Sequence, residues 1–299
     1  MRRTPFIAIL IVVIAGLTDL FLPDDGRQAR DENRMRRPDP GQFERRGDAD
    51  RREAWKPPQD SHDRGDRGGL QAPSASDPAF SVAIPTGKSN SIGTAFSLDR
   101  RGIWMTARHV VDGCARVLIV TGPRRGVRVR QTYIHPRADL AVLQTRGGAP
   151  AVPFTRQTLR RGQTGYHFGY PKGEPAAIQS TLIGRRRMRS VGRYNVTEPV
   201  VAWADRVRVP DSYGGLGGIS GGPAMDGRGE IIGVTVAGSK RRGRIFTTAL
   251  TSIAAALERS GAAAERGGGR RGAIDGRNFA EVGAGLRKRL TVALVYCAA

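Results

Sequence analysis

Cysteine is nearly absent from this chain: 299 residues contain two, Cys114 and Cys297, far apart in sequence. Two such residues make neither a disulfide framework nor a cysteine metal site. Cys114, just beyond a strand end, reads as a small buried or half-buried thiol. Histidine is also scarce, with only His62, His109, His135 and His167, which argues against metal chemistry; no metal or other cofactor is expected. Lysine supplies only five of the 49 basic residues, and acidic residues number 27, so arginine sets the formal charge of +22. Such an excess can signal nucleic-acid or anionic-membrane contact. Here the arginines are spread along the chain rather than grouped with aromatics, so a general arginine bias accounts for them. No nucleic-acid partner is expected.

Long apolar runs are lacking too, with one exception at the start. Arg2 and Arg3 precede an apolar stretch from Phe6 to Leu22, at the short end of the roughly 17–25 residues that span a bilayer as a helix. Residues 1–23 are read as an uncleaved signal anchor. A cleaved signal peptide ending at Val13-Ile14-Ala15 is the alternative. Either way the basic start stays in the cytoplasm and the remainder crosses the membrane. The location expected is therefore a bacterial inner membrane facing the periplasm, or the periplasm or exterior after cleavage.

Residues 24–79 are dense in both charges, proline and glycine, and offer little to bury. They read as a solvated, disordered tether, and His62 within them is discounted. Residues 80–258 change character. Short apolar, β-branched segments such as "FSVAIP", "SIGTAFSL", "GIWMTA", "RVLIVTG" and "GEIIGVTVAG" alternate with Gly and Pro. That spacing predicts an all-β barrel or sandwich. Only "TTALTSIAAALERSG" reads as a helix, stopped by Gly261. The Gly- and Arg-rich residues 259–299 end in an apolar stretch read as a mobile or weakly docked tail. "GRRRMRS" (184–190) and "SKRRGR" (239–244) read as solvated loops, with an anionic docking surface as the alternative.

One stretch asks for chemistry. In "GLGGISGGPAMD" (215–226), glycines surround Ser220. Glycine lets backbone N–H groups converge closely, as an oxyanion site beside an attacking hydroxyl requires. A flexible turn explains the same residues until partners are found. "WMTARHVV" places His109 after a buried-looking strand, and "HPRADLAVLQ" places Asp139 directly before another. A histidine able to take a proton from serine, oriented by a carboxylate, completes a nucleophilic set. His135 reads as a surface turn residue. His167, alternating with Tyr166 and Phe168, reads as facing one side of a strand.

In that order, "GTAF…WMTARHVV", "ADLAVL" and "GGISGGP…GEIIGV" resemble the His, Asp and Ser motifs of the chymotrypsin superfamily. The compact spacing is most similar to bacterial trypsin-like proteases of the HtrA type, over about residues 80–258. The resemblance implies two six-stranded antiparallel β-barrels with a C-terminal helix, and a serine endopeptidase acting on protein or peptide substrates. It implies His109 as general base, Asp139 as its orienter, Ser220 as nucleophile, and the N–H groups of Gly218 and Ser220 as oxyanion donors. It also puts Gly214, Val236, Ala237 and Gly238 at the primary substrate pocket. Gly214 falls where trypsin-type enzymes carry an acid, so an uncharged, apolar pocket is expected. Asp211 is the nearest carboxylate and reads as facing solvent. Ile219 replaces the aspartate that pairs with a newly cut N-terminus in digestive enzymes, which excludes activation by that ion pair. About 40 residues after Ser260 are too few for the peptide-binding PDZ domain usual in HtrA proteases. The rival reading is a catalytically silent module of the same fold that recruits partners through arginine-rich loops.

Overall fold

The computed structural model describes residues 55–58, 68–211, 215–239, 243–263 and 272–299. The apolar segment 1–23 and most of 24–79 lie outside them. Valine, isoleucine and threonine alternate with smaller or polar residues through most of the described chain, and the result is two seven-stranded sheets. The first contains β2 (Ser91–Ser97), β3 (Ile103–Thr106), β4 (Arg116–Gly122), β5 (Arg125–Arg128), β6 (Gln131–Ile134) and β7 (Ala141–Gln144). The second contains β8 (Thr164–Gly169), β9 (Ala176–Gly192), β10 (Val196–Val209), β11 (Pro223–Met225), β12 (Ile231–Ser239) and β13 (Arg244–Thr248). In the second sheet β8 pairs with both β11 and β9, so those six strands close into a barrel. A closed ring leaves no strand edge unpaired.

Each six-stranded set gains one strand from the margins of the expected domain. β1 (Ala79–Ile84) joins the second sheet in parallel with β9, Ala79 opposite Arg187 and Ile84 opposite Gly192. β14 (Val292–Ala298) enters the first sheet between β2 and β4, antiparallel to both. The apolar C-terminal stretch is thus not a mobile or weakly docked tail: it is a central strand. Its alternation fits that position, because Val292, Ala293, Val295 and Cys297 are buried. Cys297 also closes a disulfide with Cys114, correcting the free-thiol reading. The two cysteines meet because β14 returns across most of the sequence to pair with β4, which begins two residues after Cys114.

Three further expectations are corrected. "GRRRMRS" is no loop but the second half of β9, a 17-residue strand, with Arg185 and Met188 buried. The proposed tether is not wholly solvated. Leu70 is 1% exposed in the main core and its N–H donates to the Leu159 carbonyl at 2.7 Å, while Trp55 packs on Phe154 and its indole N–H donates to the Thr155 carbonyl at 3.0 Å. A helix also forms beyond Ser260. Besides the one-turn α1 (Arg108–Val111) and the expected α2 (Leu250–Ser260), ended by Gly261 in the left-handed conformation, α3 (Phe279–Lys288) buries Phe279, Gly283 and Leu286. "SKRRGR" falls partly outside the described residues; its ends are the facing termini of β12 and β13.

Candidate active site

Strand β3 delivers His109. It is buried along its length, pairs with β2 and β7, and runs through Ala107 into α1, where His109 is the second residue. Asp139 arrives at the mouth of β7, in a tight segment closed by the His135 N–H donating to the Leu140 carbonyl at 2.9 Å. The two meet twice. The His109 backbone N–H donates to Asp139 Oδ1 at 2.9 Å, and His109 Nδ1 lies 2.7 Å from Asp139 Oδ2. Asp139 is 1% exposed. Burial opposes its ionisation, but the interaction and hydrogen bonds with His109, and a hydrogen bond from Tyr194, outweigh it and hold the carboxyl below its usual range.

Two residues of this layer went unread in the sequence. The Tyr194 hydroxyl donates to Asp139 Oδ1 at 2.9 Å, from the turn joining β9 to β10. Glu198, on β10, accepts the Asp139 backbone N–H through Oε1 at 2.7 Å. Burial, and then the adjacent Asp139 charge, push the Glu198 carboxyl well above its ordinary value. Asp139 is therefore the charged member of the pair and Glu198 the neutral acid. Burial and the same carboxylate push the Tyr194 hydroxyl up, so it remains a donor. The Arg108 guanidinium lies 3.8 Å over its ring centre, and Ile84 and Val196 pack with it. A single glutamate within the apolar "VVAW"-type strand was the available signal: buried acids require partners.

The Ser220 loop is fixed from below by Thr94. Its N–H donates to the Ser220 carbonyl at 2.8 Å, and its hydroxyl donates to the Gly218 carbonyl at 2.7 Å. Two glycines here are required by geometry. Gly218 has φ of 100° and a Cβ on it would stand 2.4 Å from the Tyr170 carbonyl oxygen; Gly221 has φ of 88° and its Cβ would stand 2.0 Å from the Thr94 carbonyl oxygen. The N–H groups of Gly218 and Ser220 have no hydrogen-bond partner among the described residues. Free backbone donors beside a hydroxyl are what a developing oxyanion requires.

His109, Ser220, Val236, Ala237 and Gly238 all line one cleft of about 1000 Å³. Leu216 lies against Gly238, so close that a Cβ there would meet it at 2.7 Å. Gly214 lies outside the described residues. Asp211 is exposed. Ile219 is 1% exposed in the core, a site unsuited to a charged partner. His135 departs from expectation: it is 4% exposed rather than on a surface turn. Burial and three neighbouring arginines, Arg259, Arg137 and Arg108, hold its pKa at about 4. His167 lies inside the second barrel between Thr235 Oγ1 at 3.2 Å and Ser180 Oγ at 2.8 Å, its pKa lowered by burial to about 3. Neither belongs to the cleft. No group of three or more metal-ligating side chains forms among the described residues.

The family profile described as "Trypsin-like peptidase domain" matches residues 93–234. The chain is similar to a putative serine protease HhoA of Synechocystis, at 27% identity over 149 residues, covering 48% of this chain and 36% of that protein. It is also similar to a probable periplasmic serine endoprotease DegP-like of Pseudomonas fluorescens, at 25% identity, covering 49% of this chain and 29% of that protein. The chain thus spans well under half the length of these relatives. Among solved structures, the active form of the Rv3671c protease from M. tuberculosis aligns with a TM-score of 0.48 and 19% identity, covering 68% of this chain and 97% of that one. The matched span, residues 93–234, carries His109, Asp139 and Ser220.

Proposed function

We propose that the protein is a serine endopeptidase in which Ser220 is the nucleophile, His109 the general base and Asp139 its orienter. The observation that carries this reading is the 2.7 Å contact between His109 Nδ1 and the buried Asp139 carboxylate, on the wall of the cleft that Ser220 also lines. A carboxylate on Nδ1 keeps the proton there and leaves Nε2 as the acceptor. Ser220 Oγ attacks the peptide carbonyl carbon while Nε2 takes its proton. The carbonyl π pair moves to oxygen, facing the N–H groups of Gly218 and Ser220. Collapse expels the amine, which receives the proton from Nε2, and leaves an acyl-Ser220 ester. Water repeats the sequence and releases the acid. Asp139 stabilises the imidazolium throughout without itself taking the proton.

Cleavage after small or branched apolar side chains follows from the apolar lining by Leu216, Val236 and Ala237. A cation pushed there would lose water without compensation. The basic-then-apolar N-terminus supports attachment to, or export across, a bacterial inner membrane, with the body on the periplasmic side. A fluorophosphonate probe tests the chemistry. It should add one adduct, mapped to Ser220, in the wild type, and none in Ser220→Ala or His109→Ala. Equal labelling of wild type and Ser220→Ala would reject the nucleophile.

A further inference from the structure

The cleft extends well beyond His109 and Ser220, and its far end is cationic. It follows β12 from Val236 to Ser239 and reaches Arg244, which pairs with Ser239 across the β12–β13 ladder. Three strand positions separate Val236 from Ser239, about 10 Å at roughly 3.3 Å per residue. The floor beside Ala237 is apolar. Phe246 is opposite Ala237, Ala202 opposite Phe246, and Gly184 opposite Ala202. Phe80 of β1 stacks on Phe246 with ring centres 4.2 Å apart and forms the facing wall. Arg186, two positions beyond Gly184 on β9, lines the same cleft. This is the arginine run that the catalytic reading leaves unused.

Among the described residues no Asp or Glu lines the cleft, whereas Lys88, Arg186, Arg193 and Arg244 do. Lys88 and Arg193 are tied to main-chain carbonyls: Nζ to His109 and Val110, and the guanidinium to Asp112, Pro85 and Gly87. Carbonyls fix a cation in place but do not cancel its charge. Burial, and then Arg193, lower the Lys88 pKa, although Asp112 pulls the other way. Arg186 donates to the Arg185 carbonyl at 2.7 Å and has no carboxylate partner among the described ion pairs.

We propose that the cleft selects peptides carrying an acidic side chain three or four residues to the amino-terminal side of the bond to be cut, with its carboxylate recognised by Arg244 and Arg186. This rests on the peptidase reading and takes the acyl half of a substrate to lie along β12 beyond Val234, where the pairing with β11 ends. The apolar stretch between Leu216 and Phe246 takes the residues next to the cut, and the arginines take the acid beyond them. A guanidinium meets a carboxylate through two parallel N–H donors, giving geometric as well as electrostatic selection.

The test uses full-length Ser220→Ala protein and two dye-labelled peptides, Glu-Glu-Ala-Val-Ala-Ala and Gln-Gln-Ala-Val-Ala-Ala, with binding read by fluorescence anisotropy. The acidic peptide should bind about tenfold more tightly at low salt, with most of the difference gone at about 0.5 M salt. Arg186→Gln and Arg244→Gln should each reduce the difference, while circular dichroism reports an unchanged fold. Equal dissociation constants for the two peptides, or a preference untouched by both substitutions, would overturn the proposal. Wild-type turnover separates it from the peptidase reading. Cleavage of both peptides with equal kcat/KM overturns the acidic preference alone; an acidic binding preference without any cleavage supports the cleft's selectivity and rejects the peptidase reading.

Discussion

Tyr194 and Glu198 both hold Asp139, one at its carboxylate and one at its backbone N–H, and each admits a substitution that isolates its part. Tyr194→Phe keeps the ring under Arg108 and among Ile84 and Val196 but removes the donor to Asp139 Oδ1. A hydrogen bond to a charged group contributes about 1.5–3 kcal/mol. If half of that acts on the imidazolium formed in the transition state, kcat/KM falls about four- to twelvefold; steady-state kinetics on a peptide substrate would show it, and an unchanged kcat/KM would contradict the assignment. Glu198 is the reverse case. A neutral acid that only accepts the Asp139 N–H is mimicked by an amide, so Glu198→Gln should retain activity and melting temperature. Glu198→Ala should cost about 1–3 kcal/mol by orphaning a buried donor. Denaturant titration of both variants decides. Equal losses in both would mean that Glu198 works as a carboxylate.

At the scale of elements, the barrel strands and α2 were legible because their apolar residues alternate between Gly and Pro stops, and His109, Asp139 and Ser220 because each follows or precedes such a strand. What was not legible depends on contacts distant in sequence. "VALVYCA" has the apolar and β-branched content of a strand, but nothing local names β2 and β4 as its partners, with Leu294 opposite both Thr94 and Val120. The Cys114–Cys297 pairing is hidden for the same reason, since it exists only once β14 is in place. "GRRRMRS" misleads through its charge. Arg185 lies against the Gln71 carbonyl and Arg187 against that of Asp77, so segments read as tether convert an arginine run into a strand. Tyr194 carries no sequence signal at all, because its role depends on a hairpin of the second sheet reaching a carboxylate of the first.

The disulfide ties β14 to the start of β4. It joins residues 183 positions apart, and loss of a native disulfide closing a long loop costs about 2–5 kcal/mol. Cys114→Ser with Cys297→Ser should therefore lower the urea midpoint, with a urea slope equal to or steeper than the wild type's because the unfolded chain loses its cross-link. An unchanged midpoint would show that β14 is held by its ladders alone.

For the whole molecule, two buried histidines tie stability to pH. The pKa of His167 is lowered to about 3 and that of His135 to about 4, from 6.5 in the unfolded chain. Between these values the unfolded chain binds protons that the folded one refuses. The stability is complete above about pH 6.5 and is lost as pH falls toward 4 and then 3. At 1.36 kcal/mol per unit, each histidine contributes on the order of 2 kcal/mol of destabilisation by about pH 5. His167→Gln should flatten the dependence of the melting temperature on pH between about 7.5 and 5. A drop as steep as that of the wild type would contradict the depressed value.

The two sheets meet at one cleft, lined by His109 and Val236, with Ser220 held by Thr94. The claim that this cleft hydrolyses peptide bonds is tested most directly by kcat/KM on an apolar peptide for the wild type and Ser220→Ala. The account predicts turnover in the wild type and a fall in kcat of about 10⁴-fold or more in the variant, with the residue left by binding and the oxyanion donors. Turnover by Ser220→Ala at a rate near that of the wild type would contradict it.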